Sequence, residues 1–452
     1  MHYDQVVSGG TLVLPSGLVQ ADLGIQQGRI VTLGQGLLRQ GSTAATEIDS
    51  RHLLVLPGLI DPHVHPIHAE TYASVSEAAL FGGVTTVLHH LYTPPDADPV
   101  TFFQQEVEVA RQASLIDFGF HVRLNDLNRT QHAIADIVKK HNPSFKLFMA
   151  YGGRGISVGD DEILLAMRAA HHAGGVLLFH AENGPAADLL ELWSQEQGQL
   201  SLNDYYNSRP KWVEVDAVER LIRLHHIQPC SSYLVHLTCA ASMQAVSKAK
   251  LAGIKLTAET CPHYLLLTAE TASHLGSKAK MSPPLRTQHD QDALWQALAG
   301  GTLDTVGSDH SAFEPAEKEV GDNVFKAGYG VPGIATMLPL LYQKGVHEKR
   351  ISIEGLITAM SANPAKALGL TGRKGYLAVG YDADFVLFDP DEAFTITDAS
   401  EHGNGYYSLY EGWQGKGVVK ATYQRGTAYM VDNELVVQAG HASFVERTLP
   451  LL

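Results

Sequence analysis

Leu53-Leu54-Val55-Leu56-Pro57-Gly58-Leu59-Ile60 is an apolar run of strand length, and it leads straight into Asp61-Pro62-His63-Val64-His65. A β-strand places residues i and i+2 on one face, so His63 and His65 should project side by side from the strand's carboxyl end, where two imidazoles can share a metal ion. Taken alone the pair is ambiguous. In a chain with 23 histidines, a His-x-His can equally be surface decoration or a hydrogen-bonded core pair. What favours metal lies further along the chain.

Seven more short apolar runs follow, at Thr85-Thr86-Val87-Leu88, Phe118-Gly119-Phe120-His121-Val122, Phe145-Lys146-Leu147-Phe148-Met149, Val176-Leu177-Leu178-Phe179-His180, Tyr233-Leu234-Val235-His236, Lys255-Leu256-Thr257-Ala258-Glu259 and Thr305-Val306-Gly307-Ser308. Longer stretches with helical periodicity, among them residues 161–173, 214–225 and 240–252, lie between them. This alternation predicts an α/β fold, a (β/α)8 TIM-like barrel over residues 53–373. Both chain ends have a different texture. Short strands separated by glycine and polar turns are expected at Gly10-Thr11-Leu12-Val13-Leu14, Ala21-Asp22-Leu23-Gly24-Ile25 and Arg29-Ile30-Val31-Thr32-Leu33. The pattern returns at Ala383-Asp384-Phe385-Val386-Leu387-Phe388, Gly417-Val418-Val419-Lys420-Ala421-Thr422-Tyr423 and Leu435-Val436-Val437. Residues 1–52 and 374–452 are therefore expected to join into a smaller β-sandwich domain, with the glycine-bearing segment 374–380 as the crossing point.

Composition narrows the function classes. Apolar residues make up 45% and charged residues 18% of 452, a globular balance. A net charge of −15 without clustered Lys and Arg argues against nucleic acid as a partner. The three cysteines, Cys230, Cys239 and Cys261, form no CxxC pair, which argues against a disulfide framework or a thiolate zinc site. No signal-like amino terminus and no 18-residue apolar window occur, so a cytoplasmic protein with no membrane contact is expected.

Barrel enzymes carry their chemistry at the carboxyl ends of the strands, and polar residues recur there. His63 and His65 follow the first strand, Lys146 lies inside the fourth, His180 ends the fifth, His236 ends the sixth and Asp309 follows the eighth. A lysine inside an apolar run either snorkels to a carboxylate or is buried with a lowered pKa. In the second case the neutral amine can take up carbon dioxide as a carbamate, with two oxygens able to bridge two metals. His180 and His236 singly read as structural histidines; both at strand ends of one barrel read as ligands. Asp309 can cap the following helix, or bind metal and accept a proton from a water.

In order, these segments resemble the cyclic-amidohydrolase branch of the amidohydrolase superfamily, and within it the hydantoinases and dihydropyrimidinases. The resemblance spans nearly the whole chain. It rests on Pro57-Gly58-Leu59-Ile60-Asp61-Pro62-His63-Val64-His65, Gly82-Gly83-Val84-Thr85-Thr86, Ser144-Phe145-Lys146-Leu147-Phe148-Met149-Ala150-Tyr151 and His180-Ala181-Glu182-Asn183-Gly184. Glu259-Thr260-Cys261-Pro262-His263-Tyr264, Ser282-Pro283-Pro284-Leu285-Arg286 and Val306-Gly307-Ser308-Asp309-His310 carry it further. It implies a two-metal centre, usually zinc, bridged by a carboxylated Lys146. His63, His65 and Asp309 would complete the more buried site, and His180 and His236 the more exposed one. Hydroxide held between the metals would open a cyclic amide, with Asp309 as base and then acid and Tyr151 as donor to the oxyanion. Backbone groups near Ser282 and Tyr329 would hold the substrate, and assembly as a homo-oligomer, a tetramer or a dimer, is implied as well.

Departures from the family pattern bear on substrate. The residues after His65 are Pro66-Ile67-His68, which supply none of the arginine that dihydroorotases place there for a carboxylate, and Ser282 stands where they use asparagine. Tyr329-Gly330 replaces the hydantoinases' Asn-Gly, and Gly152-Gly153-Arg154 replaces the lysine common after the tyrosine. Hydantoin or dihydropyrimidine rings are the leading expectation. Allantoinase activity, dihydroorotase-like activity and a non-catalytic scaffold are the alternatives.

Overall fold

A computed structural model describes residues 2–40, 42–437 and 441–449. Its centre is a ring of eight parallel strands in sequence order: β1 (Leu59–Val64), β2 (Val84–Leu91), β3 (Asp117–Arg123), β4 (Ser144–Phe148), β5 (Val176–His180), β6 (Ser231–Leu234), β7 (Leu256–Thr260) and β8 (Thr305–Val306). Each pairs with its neighbour, and a parallel bridge between Val64 and His310, with His65 N donating to His310 O at 3.0 Å, closes the ring between its first and last strands. Helices such as Asp160–Ala173, Lys211–His225 and Ala240–Leu251 return the chain between strands.

The strands form where apolar runs were expected because parallel strands covered by helices are buried on both faces. All residues of β1, β2, β4 and β5 are buried. Phe118, Phe120, Phe145 and Phe179 belong to the principal core. The opening run departs from the expectation of one strand. Leu54–Pro57 pairs antiparallel with Phe385–Thr395 and parallel with Thr11–Leu14, and the barrel begins only at Leu59. Gly58 makes the break: a Cβ there would lie 2.3 Å from Thr85 Oγ1, while its N–H donates to Asp384 O at 2.9 Å.

The chain ends build two further sheets, one of four strands from residues 2–49 and one of seven that includes Leu54–Pro57. Val7, Leu23 and Ile25 of the first meet Leu12, Val55, Phe385 and Leu387 of the second in a separate apolar core. The last strand ends at Leu435, so Val436 and Val437, expected to continue it, lie outside it. Residues 443–445 run alongside the start of β3, with Val445 N donating to Phe118 O, and the buried Arg447 donates to Phe120 O at 2.6 Å. This tail covers the amino end of the barrel, opposite the histidines. No helix among the described residues is long and apolar enough to cross a membrane.

Candidate metal centre

Strand geometry delivers the site. His63 lies within β1 and His65 just past it, Lys146 within β4, His180 at the last residue of β5, and His236 and Asp309 just beyond β6 and β8. All six line one cavity of about 320 Å³, shared with Tyr151, Ser282 and Tyr329. Three of these nine residues have left-handed backbones: Tyr151 (φ 67°), His236 (φ 42°) and Asp309 (φ 51°). For non-glycine residues such conformations cost of order 1 kcal/mol each and persist where the surroundings over-determine them.

His63 Nδ1 donates to Glu259 Oε1 at 2.7 Å, leaving Nε2 to face Asp309 Oδ1 at 3.1 Å. His65 Nε2 donates to the same Asp309 oxygen at 2.8 Å, and the Tyr92 hydroxyl donates to His65 Nδ1 at 2.7 Å. His236 Nε2 donates to His180 Nδ1 at 2.9 Å, and His180 Nε2 to Glu182 Oε2 at 2.7 Å. Carboxylates behind imidazoles in this way fix ring orientation and raise basicity, the arrangement that surrounds metal-ligating histidines.

Electrostatics sort the group. Burial holds the His65 imidazole down to about 4, so it is neutral near pH 7. Burial pushes the Asp309 carboxyl up, but the His63, His65 and His236 rings together outweigh it and hold it well below the usual carboxylate range. Lys146 is 1% exposed and its Nζ has no hydrogen-bond partner. Burial drives its pKa down to about 7, against the opposing pull of Asp309 and Glu259. An amine buried without a partner is costly unless something completes it.

The donor set fits a metal. His63, His236 and Asp309 bring one donor atom each within 4.8 Å of one another, and His63, His65 and His90 do the same. Nitrogen and carboxylate oxygen donors of this kind suit zinc and its first-row neighbours. The remaining expected residues lie against the same wall. Tyr151 stands 4.8 Å from His180 between ring centres, with burial and then Glu182 holding its phenol protonated. Ser282 Oγ donates to Glu182 Oε2 at 3.0 Å, and the Tyr329 hydroxyl to Glu191 Oε2 at 3.1 Å.

Three contributors escaped the sequence reading. Glu259 also accepts from the Tyr233 hydroxyl at 2.7 Å and from His236 N at 3.2 Å, so it ties β1, β6 and β7 together. Glu182 accepts from the buried Arg209 at 2.7 Å, which holds its carboxyl down at about 2 despite burial. His90 stacks on His63 with ring centres 4.4 Å apart and both its nitrogens unpartnered. The same signal that marked His180, a polar residue at a strand end, was available for Glu259 and Glu182.

Comparison with known proteins agrees with this geometry. The amidohydrolase family pattern matches residues 54–428. A D-hydantoinase of Ralstonia pickettii is 35% identical over 98% of this chain and 99% of its own length. An allantoinase of Deinococcus radiodurans is 33% identical over 94% of this chain and 95% of its own. The crystal structure of a dihydropyrimidinase from Brevibacillus agri superimposes with a TM-score of 0.93 at 32% identity, covering 98% of each chain. This chain belongs to the amidohydrolase family.

Proposed function

We propose that the protein hydrolyses a carbon–nitrogen bond of a cyclic amide, opening a hydantoin or dihydropyrimidine ring, at a binuclear metal centre in the barrel unit, residues 53–373, flanked by the unit of residues 1–52 and 374–452. The observation that carries the reading is the unpartnered Lys146 amine, buried among four histidines and Asp309 at the strand ends. Lys146 as a carbamate would bridge the two ions, with His63, His65 and Asp309 on one and His180 and His236 on the other. Two divalent cations in these positions would supply hydroxide near neutral pH and polarise the ring carbonyl.

The chain's own groups do the rest. Asp309, ionised and held by His63 and His65, accepts the proton released as the C–O bond forms and returns it to the leaving nitrogen. Tyr151, kept protonated by burial, donates to the oxygen on which negative charge develops, an effect worth roughly 2–4 kcal/mol in comparable sites. Ser282 and Tyr329, already tied to Glu182 and Glu191, hold the amide face of the ring. Self-association belongs to the same reading, supported by Leu192, Trp193 and Trp212, each about half exposed on neighbouring helices.

The test is metal analysis joined to turnover. Protein purified without chelators should carry about two divalent ions per chain, and their removal should abolish ring opening. Full activity in metal-free protein would overturn the proposal. The similarity to an allantoinase supports a second reading. Comparing kcat/KM on hydantoin, dihydrouracil, allantoin and dihydroorotate separates the two, and allantoin as the best substrate by a wide margin would favour the second.

A further inference from the structure

The cavity's charge is not explained by the ring-opening chemistry. Asp309 is the only carboxylate among the described residues that line it, and His63 and His65 already engage it. Two arginines line the same space in a chain whose net charge is −15. Arg123 ends β3, in register with Lys146 on β4, and so projects at the level of the metal ligands. It donates to Thr93 O at 2.6 Å, lies 5.2 Å from the centre of the Tyr92 ring, and keeps a buried Nε without a partner. Tyr92 in turn hydrogen-bonds His65, which places this guanidinium one side chain from the reacting centre.

Arg154 comes from the other wall, in the turn after Tyr151. Its guanidinium lies over two rings, 5.4 Å from the centre of Tyr151 and 4.8 Å from that of Tyr329, and no carboxylate pairs with it among the described residues. Aromatic faces can hold a guanidinium in place while leaving its N–H edge available. His68, the third basic group at the mouth, has its own counter-charge in Glu317 at 3.8 Å. A planar fork of donors, fixed by aromatic contacts and lacking an internal anion, matches a carboxylate.

We propose that the ring this site accepts carries an anionic, carboxylate-bearing substituent, bound by Arg123 and Arg154 from two walls of the cavity. The proposal rests on the ring-opening reading above. Ile67, Phe148 and Ile156 also line the cavity, so an apolar substituent is the competing outcome.

The experiment compares kcat/KM for 5-(carboxymethyl)hydantoin and its near-isosteric neutral amide, 5-(carbamoylmethyl)hydantoin, on the metal-loaded enzyme. The carboxylate is expected to be preferred by about tenfold or more, and Arg154→Gln and Arg123→Gln should each bring that ratio down by about fivefold. The ratio is the readout because a merely structural defect would lower both substrates together. Equal or better turnover of the neutral amide by the unaltered enzyme would overturn the proposal, as would a ratio that survives in both variants. Failure to open either compound, or unsubstituted hydantoin, would instead overturn the ring-opening reading itself.

Discussion

Two of the buried lysines, Lys146 and Lys374, lie towards opposite ends of the barrel axis, and their company is opposite. Lys374, at the amino end, meets Asp117 at 2.7 Å, Asp384 at 2.6 Å and Asp382 at 3.0 Å. Burial alone would lower its pKa, yet these carboxylates raise it above the ordinary value. Lys146, at the carboxyl end, has no partner, and burial prevails. Equal burial thus yields a permanent cation in one place and a titratable amine in the other. The first is a fastener between the barrel and the sheet of the chain ends; the second is the amine that, on the proposed reading, takes up carbon dioxide and holds metal.

Removing each lysine should break the two ends differently. Lys146→Ala is expected to abolish both metal binding and ring opening with the fold intact, checked by metal analysis, turnover and far-ultraviolet circular dichroism. Unchanged metal content would sink the carbamate assignment. Lys374→Met leaves Asp117 with Arg425, Asp382 with Arg373 and Arg29, and Asp384 with no other cation in direct contact, and should cost about 3–5 kcal/mol in urea denaturation. Metal content per folded chain should be unaffected, so a variant that lost its metal but kept its stability would reverse the contrast.

Subtler changes sharpen it. Glu259→Gln keeps the shape behind His63 and removes the charge. Zinc affinity of the stripped protein should fall about 10–100-fold in a calorimetric titration, with little change in thermal midpoint. Glu401 is intermediate between the two lysines: buried, but held by the hydroxyls of Ser408 and Thr336 rather than by a cation in direct contact. Burial raises its carboxyl from 4.5 to about 7. Across that window the folded chain keeps a proton that the unfolded chain has released. Its contribution to stability is therefore present at lower pH and lost as pH rises through about 7, by at most about 1.4 kcal/mol per pH unit. Glu401→Gln should flatten that part of the stability profile, and an unchanged slope would place its source elsewhere.

The barrel was legible because its strands are buried on both faces, leaving apolar runs bounded by polar ends. Its start was not. Nothing local marks Gly58 as the break, since the crowding comes from Thr85 and Asp384, far along the chain. The tail beneath the barrel was equally hidden, because backbone groups of 443–445 make the pairing and impose no side-chain pattern. His63, His65, Lys146, His180, His236 and Asp309 stood out by position at strand ends, and the structure brings all six to one cavity. Glu259 and Glu182 occupied comparable positions but gained meaning only from partners on other strands. His89 and His90 illustrate the limit: the alternation of strand faces separates two adjacent histidines without saying which one meets His63.

The bridge between Val64 and His310 has a bearing on how the molecule is made. His65 and Asp309, on the two sides of that seam, are 244 positions apart in sequence. Contacts of such separation carry a large loop-closure entropy and form slowly. A nascent chain that has not yet emerged through the eighth strand therefore lacks Asp309 and Tyr329 from its pocket, however well the earlier strands have formed. Any ion gripped from both sides of the seam would bind only the closed ring and hold it shut by mass action. Activity would then report completed folding, with no partial version of it earlier on the pathway.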